Sequence, residues 1–122
     1  MFEYLVFEES VSFSWSREIR LERDDDLIRY RKKQTGYGYA EENTSDGIYK
    51  GDPKAFISKL ENLHIEDWPT EFFEPVLDGH GWTLRYKEVG KKCRIIIGSN
   101  SFPDCYKELV KLLESATLQG TI

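Results

Sequence analysis

The fold is decided by residues 17–33, which read REIRLERDDDLIRYRKK. Apolar and charged side chains alternate on both sides of the acidic run Asp24–Asp26. A period of two is typical of a strand with one buried and one solvated face, and aspartate favours turns because its side chain hydrogen-bonds nearby backbone. The stretch therefore predicts an antiparallel hairpin. Its inward positions are Ile19, Leu21, Ile28 and Tyr30, and its outward basic positions are Arg29, Arg31 and Lys33.

A second hairpin is predicted over residues 82–97, with its turn at Val89–Lys91. Apolar and polar side chains alternate along its first arm, which favours one buried face. In the returning arm we expect Ile95 and Ile97 to face inward. Alternation over residues 2–7 predicts an N-terminal strand, and as an edge strand it would be free to pair across a dimer axis. The apolar set of the first arm is Trp82, Leu84 and Tyr86, and the polar set is Thr83, Arg85 and Lys87.

Two amphipathic helices are predicted, at about residues 53–63 and 103–115, from apolar side chains at helical spacing. Asp52 is suited to cap the first helix, and Pro53 suits its first position because proline needs no backbone donor there. The remaining segments are polar or irregular. We expect a short strand fragment around Tyr37 and Tyr39, then a loop to residue 51, and a connection over residues 70–81.

Hairpins that alternate with helices predict an α+β fold, an antiparallel sheet of five or six strands with both helices on one face. A length of 122 residues fits one domain, residues 1–122. The stretches 17–63 and 82–115 both consist of a hairpin followed by a helix. An internal duplication would explain this likeness, and a common way of covering a short sheet with helices would explain it equally. The helix positions expected to cover the sheet are Phe56, Leu60, Leu63, Tyr106, Leu109 and Leu113.

Composition narrows the class of protein. An aromatic content of 14% argues against a disordered chain, and a mean hydropathy of −0.57 without a long apolar run argues against a membrane protein. The net charge of −5 argues against a generally basic nucleic-acid binder. Acidic residues interrupt the N-terminal apolar run, so no secretory signal is indicated. We expect a cytoplasmic protein with reduced Cys93 and Cys105; a disulfide between them is the alternative.

Residues 65–113 contain a string of motifs: Trp68, then Phe72 or Phe73, then Asp78-Gly79-His80-Gly81-Trp82, then Gly98-Ser99-Asn100-Ser101-Phe102-Pro103. This string resembles that of a family of small uncharacterised bacterial domains, abundant in Firmicutes. Phe102 stands where tyrosine is commoner in that family, and phenylalanine cannot donate a hydroxyl hydrogen bond. The resemblance implies no reaction and no ligand, so it bears on the fold more than on the function.

Candidates for chemistry are few. The sequence has no nucleophile motif, P-loop or dinucleotide fingerprint, and we expect no cofactor. His64 and His80 would form a metal site only if carboxylates joined them, and we expect no metal. The enzymatic or ligand-binding alternative has His80 as a general base in a pocket; the competing explanation is a surface histidine and a structural asparagine. The residues of that pocket would be Asp78, His80, Trp82 and Asn100.

Charge is segregated along the chain. Residues 41–78 carry ten acidic and three basic side chains, whereas residues 79–122 carry seven basic and four acidic.

We predict a small non-enzymatic binding or protein-interaction module, for example a phage or mobile-element inhibitor or an immunity-type protein. It would use a basic sheet face or the acidic 41–78 segment. The expected partner is a protein or an anionic ligand, not a membrane; nucleic acid is less favoured, and monomer and homodimer both stay open. The competing explanation is an ordinary solvated sheet face. The predicted binding residues are Arg29, Arg31, Lys33, Arg85 and Lys87.

Overall fold

The computed structural model describes residues 1–12, 14–36, 39–75 and 79–117, and for residues 39–42 it describes the backbone alone. Strands and helices alternate as the sequence predicts, with one short 3-10 turn at Ile65–Asp67. The helices are α1 (Pro53–Glu61) and α2 (Tyr106–Thr117). The strands are β1 (Phe2–Val11), β2 (Trp15–Asp24), β3 (Leu27–Gly36), β4 (Tyr39–Ile48), β5 (Glu71–Phe73), β6 (His80–Glu88) and β7 (Arg94–Ser99).

These strands form one mixed sheet in the order β4-β3-β2-β1-β6-β7-β5. All neighbouring pairs are antiparallel except β5 and β7, which run parallel. The α+β class and the two hairpins are confirmed. The expected number of five or six antiparallel strands is wrong, because the described residues form seven strands, with one parallel pair among them.

The strand count differs because two strands lack a side-chain pattern. β4 reads YAEENTSDGI and has no apolar alternation, so its composition predicts a loop. It joins the sheet through a backbone ladder with β3, from Gln34 opposite Asn43 to Arg29 opposite Ile48. β5 has only three residues, too few to show a period. Tyr37, where we expected a strand fragment, lies outside the described residues.

β1 is an interior strand, so the expectation that it could form an edge is wrong. It is hydrogen-bonded to β2 on one side and to β6 on the other, with Leu5 opposite both Leu21 and Tyr86. Both of its ladders are therefore occupied within the chain. Pairing across a dimer axis would require β1 to leave the centre of its own sheet.

The returning arm of the second hairpin faces the opposite way from our expectation. Ile96 is fully buried opposite Leu84, whereas Ile95 and Ile97 are 47% and 53% exposed. Three consecutive isoleucines carry no period, so the sequence leaves their orientation undecided. The pairing of β7 with β6 decides it, because a shift of one residue moves every side chain to the other face.

Both helices pack on the same face of the sheet, here called the inner face. Phe56 and Leu60 of α1 and Leu109 and Leu113 of α2 join one buried cluster with the inward side chains of the strands. Asp52 caps α1 as predicted, and its side chain accepts a hydrogen bond of 3.1 Å from the backbone N–H of Lys54. The strand residues in this cluster are Phe2, Leu5, Phe7, Ile19, Leu21, Ile28, Tyr30, Trp82, Leu84, Tyr86 and Ile96.

Trp82 lies at the centre of the contact between the sheet and α2. Its ring centroid lies 5.2 Å from that of Tyr106 and 5.6 Å from that of Phe72, and its indole N–H donates to Ser101 O at 2.9 Å. A Cβ at Gly98 would overlap the indole, so glycine is required there by close approach. Among the described residues, no helix is long and apolar enough to cross a membrane.

Candidate functional site

All five predicted binding residues lie on one face of the sheet, opposite the helices, which we call the outer face. The register places them there, since directly paired residues of neighbouring strands share a face. The structure therefore brings together side chains from two hairpins that are distant in the sequence. The paired outward residues are Lys33 and Glu18, Arg31 and Arg20, Arg29 and Glu22, Val6 and Arg85, and Tyr4 and Lys87.

Carboxylates accompany most of these cations. Arg85 Nη1 lies 2.9 Å from Glu8 Oε1, and Lys87 Nζ lies 3.4 Å from Glu3 Oε1. The hydrogen bond and the charge of Asp46 raise the pKa of Arg31 above its ordinary value. The outer face is therefore mixed in charge rather than basic. The remaining pairs are Arg29 Nε with Asp24 Oδ2 at 3.0 Å and Arg31 Nε with Asp46 Oδ1 at 2.8 Å.

A groove of about 540 Å³ crosses one end of the outer face. Its floor is made of small residues from four adjacent strands, and the hydroxyls of Ser16 and Thr35 lie 2.6 Å apart. Small side chains in one row leave a depression between larger neighbours. The floor residues are Thr35, Ser16, Ser10 and Gly81, and the next row along the strands is Lys33, Glu18, Glu8, Thr83 and Ile97.

An apolar cluster lies on β7 and β5 beside this groove. Ile95 and Ile97 project from β7, and Phe73, which pairs with Ser99, projects from β5 and is 73% exposed. Single exposed apolar side chains are normal, but several together on one surface are a feature of interaction sites. Sequence reasoning missed this cluster because it placed Ile95 and Ile97 in the core.

The inner face holds a buried ion cluster on the other side of β1 from the groove. The Glu9 side chain is only 4% exposed, and its carboxylate accepts from Arg17 Nε at 2.6 Å, His80 Nε2 at 2.7 Å and Tyr106 Oη at 2.8 Å. Arg17 Nη1 also lies 2.9 Å from Glu114 Oε1 of α2. A carboxylate removed from water needs such partners, because an unpaired buried charge is very costly.

The environment of Glu9 changes the acidity of its partners. Burial, followed by the charge and the hydrogen bond of Glu9, raises the pKa of Tyr106 well above its ordinary value. Burial by itself would lower the pKa of Arg17, but hydrogen bonds and charges from Glu114 and Glu9 outweigh it and raise the pKa. Tyr106 therefore stays a neutral hydrogen-bond donor, and Arg17 stays a cation.

The structure brings three residues of the predicted alternative pocket together, and Asp78 lies outside the described residues. The His80 side chain is 31% exposed, and its ring centroid lies 4.9 Å from that of Phe102. Asn100, at φ +56°, accepts from the His80 backbone N–H at 2.8 Å and donates its own N–H to His80 O at 2.8 Å. Asn100 therefore joins the ends of β6 and β7, and Trp82 is core, so His80 is the member of the set whose side chain is hydrogen-bonded to a buried carboxylate.

Sequence reasoning missed the cluster that Glu9 forms with Arg17, His80 and Tyr106. One signal was present: Glu9 continues the inward row of Leu5 and Phe7, and a charge in an apolar row is almost always paired. The identity of the partners was hidden because they lie 8, 71 and 97 positions away.

The described residues also contain a group with metal-ligand chemistry at the surface. The side-chain ligand atoms of His64, Glu66 and Asp67 lie within 4.8 Å of one another, and all three residues are exposed. His64 Nδ1 lies 3.6 Å from Glu66 Oε1. His80 belongs to the separate Glu9 cluster, so the two histidines do not converge. Cys93 and Cys105 are free thiols.

Comparison of the chain with models of protein families, with curated proteins and with solved structures finds no match. The resemblance of residues 65–113 to small bacterial domains therefore stays a prediction. Two residues of its motif have structural tasks in this chain. Trp68 donates its indole N–H to Leu63 O at 2.9 Å, and Gly98 makes room for Trp82.

Proposed function

We propose that this protein is a non-enzymatic protein-interaction module whose partner binds the outer face of the sheet. One observation carries the proposal. Both helices pack on the inner face, and the opposite face presents Ile95, Ile97 and Phe73 next to a groove and a row of arginines. An exposed aliphatic and aromatic cluster bordered by arginine is the composition typical of interface centres.

The charge arrangement favours a protein over nucleic acid or a small anion. Nucleic-acid affinity comes largely from lysine and arginine side chains that neutralise phosphates. Four of the five predicted binding cations already lie within 3.4 Å of a carboxylate, and the chain carries a net charge of −5. A protein surface with both signs of charge can exchange partners with these ion pairs. A role as an inhibitor or immunity-type protein is consistent with such a module.

A matched pair of exposed aliphatic residues tests the proposal. Ile97 on the outer face is 53% exposed, and Val89 in the β6–β7 turn is 50% exposed. Proteins captured from the native host lysate by the wild-type chain would be purified and titrated against Ile97→Lys and Val89→Lys. We expect Ile97→Lys to weaken binding at least about tenfold, as for an interface anchor, and Val89→Lys to leave it within about twofold. Equal affinities of the two variants would refute the proposed surface.

A second candidate function is a ligand-binding or catalytic site at His80. The observation that favours it is a buried Glu9 carboxylate that is hydrogen-bonded to a partly exposed imidazole, an arrangement also used to position catalytic bases. A fragment library screened by NMR would report on it. Ligands that shift the His80 ring signals, and that bind the His64→Ala variant but not the His80→Ala variant, would support this candidate. A screen in which no ligand requires His80 would argue against it.

A further inference from the structure

One edge of the sheet is formed by β4, most of which lies in the acidic 41–78 segment. Tyr49, the residue after β4, donates its backbone N–H to Ile28 O at 2.8 Å. Backbone groups alternate in direction along an antiparallel strand, and the register between β3 and β4 is constant from Asn43 to Ile48. The N–H and C=O groups of Thr44, Asp46 and Ile48 therefore point away from β3, along the free edge.

Within the part of the chain that the structure describes, this free edge is long, and β3 is the strand hydrogen-bonded to β4. β4 has ten residues. Among the described strands and helices, it packs extensively against β3. Thr44, Asp46 and Ile48 are all exposed. Edge strands are commonly protected from further pairing by proline, charged side chains or a short length. β4 has no proline and is not short, and its charges are all acidic, so they oppose an acidic strand but not a basic one. The edge is therefore suited to accept another strand.

The charge of β4 selects the chemistry of that strand. Residues 39–48 include Glu41, Glu42 and Asp46 and contain no lysine or arginine. Two copies of β4 side by side would bring the acidic residues of both chains onto one ladder, and like charges opposite each other are unfavourable. A strand that carries lysine or arginine would be attracted instead. The same acidic residues therefore disfavour a second copy of this chain and favour a basic segment.

We propose that the β4 edge binds an extended basic segment of a partner protein, which adds an eighth strand to the sheet. The inference rests on the proposed function only in that the ligand is a protein. Alternate side chains of the added strand would lie on the outer face, beside Thr44, Asp46 and Ile48. A groove of about 500 Å³ lies there, lined by three arginines, two carboxylates, Tyr30, Gly47 and Ile48. The charged lining residues are Arg20, Arg29, Arg31, Glu22 and Asp46. A basic side chain of the added strand would share the Asp46 carboxylate with Arg31, whose Nε lies 2.8 Å from Oδ1, and an apolar one would lie beside Ile48.

Synthetic peptides test this directly. The probe is the ten-residue peptide Thr-Lys-Thr-Val-Thr-Lys-Thr-Val-Thr-Lys, in which lysine and valine alternate along one face, and its counterpart has glutamate in place of lysine. We expect the lysine peptide to bind the full chain and the glutamate peptide to bind at least about tenfold more weakly. On binding, the amides of Thr44 and Asp46 should exchange with deuterium several-fold more slowly, because they become hydrogen-bonded.

A matched pair of variants isolates the backbone contribution. Thr44→Pro removes an outward N–H without removing a hydrogen bond to β3, whereas Thr44→Ala keeps the N–H. We expect Thr44→Pro to weaken peptide binding about tenfold and Thr44→Ala to change it less than about twofold. Should Thr44→Pro fail to fold, Asp46→Lys provides the second variant, and its preference should move towards the glutamate peptide.

Several results would overturn the inference: no binding of the lysine peptide, equal binding by Thr44→Pro and Thr44→Ala, or unchanged amide exchange at Thr44 and Asp46. Concentration-dependent dimerisation that Thr44→Pro abolishes would identify a second copy as the occupant and also overturn it.

Ile97→Lys separates the two proposals. If Ile97→Lys weakens the binding of a captured partner and Thr44→Pro does not, the outer face is supported and the β4 edge is refuted. If the reverse holds, the edge is supported and the outer face is refuted.

Discussion

The two faces of the sheet use the same ion-pair chemistry in opposite surroundings. On the inner face, Glu9 is nearly inaccessible and joins Arg17, His80 and Tyr106. On the outer face, the next residue along β1, Glu8, joins Arg85 with both side chains more than 40% exposed. Burial decides what each pair does for the protein. The inner cluster ties α2 to the sheet, whereas the outer pairs can open to exchange with a partner at little cost in stability.

The largest expected effect comes from adjacent isoleucines on β7. Ile96→Lys would place an unpaired charge in the core and should cost more than about 4 kcal/mol, enough to unfold many domains of this size. Ile97→Lys, one residue along, should change the free energy of unfolding by less than about 0.5 kcal/mol. Urea unfolding followed by circular dichroism measures both. A larger loss for Ile97→Lys than for Ile96→Lys would mean that β7 is paired in another register.

The next largest effect on stability is expected from one of two neighbouring glutamates on β1. Glu9→Gln leaves Arg17 with one carboxylate partner fewer in a buried site, and we expect a loss of about 3 kcal/mol. Glu8→Gln breaks an exposed pair and should cost less than about 0.5 kcal/mol. The same urea titrations report both values. If Glu8→Gln proved as destabilising as Glu9→Gln, burial would not be what distinguishes the two faces.

A pH effect of about 1 kcal/mol is expected from Tyr106. Its pKa is raised in the folded state above the ordinary value of 10, so the folded protein keeps a proton that the unfolded chain loses. The resulting stability is complete below about pH 10 and falls above it by up to about 1.4 kcal/mol per pH unit. In Tyr106→Phe this contribution is absent, so its unfolding free energy should decline less between pH 10 and 11. Parallel declines in the wild type and the variant would contradict the assignment.

The smallest expected effect concerns the outer ion pair. A double-mutant cycle with Glu8→Gln and Arg85→Met should give a coupling energy below about 0.5 kcal/mol, which decreases further when salt is added. A value above 1 kcal/mol would show that the pair holds the sheet together and is not available for exchange. The cycle needs the two single variants, the double variant and the wild type at low and at physiological ionic strength.

Much of the fold could be predicted because its signals are local. The period of two over residues 17–33 and 82–88 predicts strands whichever neighbours they find, and the Asp52-Pro53 start of α1 depends only on adjacent backbone. These predictions are confirmed. β4 could not be predicted as a strand, because a ladder of backbone hydrogen bonds to β3 holds a segment whose side chains show no strand pattern.

For the candidate sites, the sequence by itself determined that Arg29, Arg31 and Lys33 share a face, since alternate residues of one strand must do so. The tertiary structure alone decided that Arg85 and Lys87 join them, that Asp46 and Glu8 neutralise them, and that Ile97 points outward. It also decided that Glu9 meets His80 and Tyr106. The physical reason is the same in each case: periodicity is a property of one strand, whereas register and pairing are set by how separate strands and helices pack together.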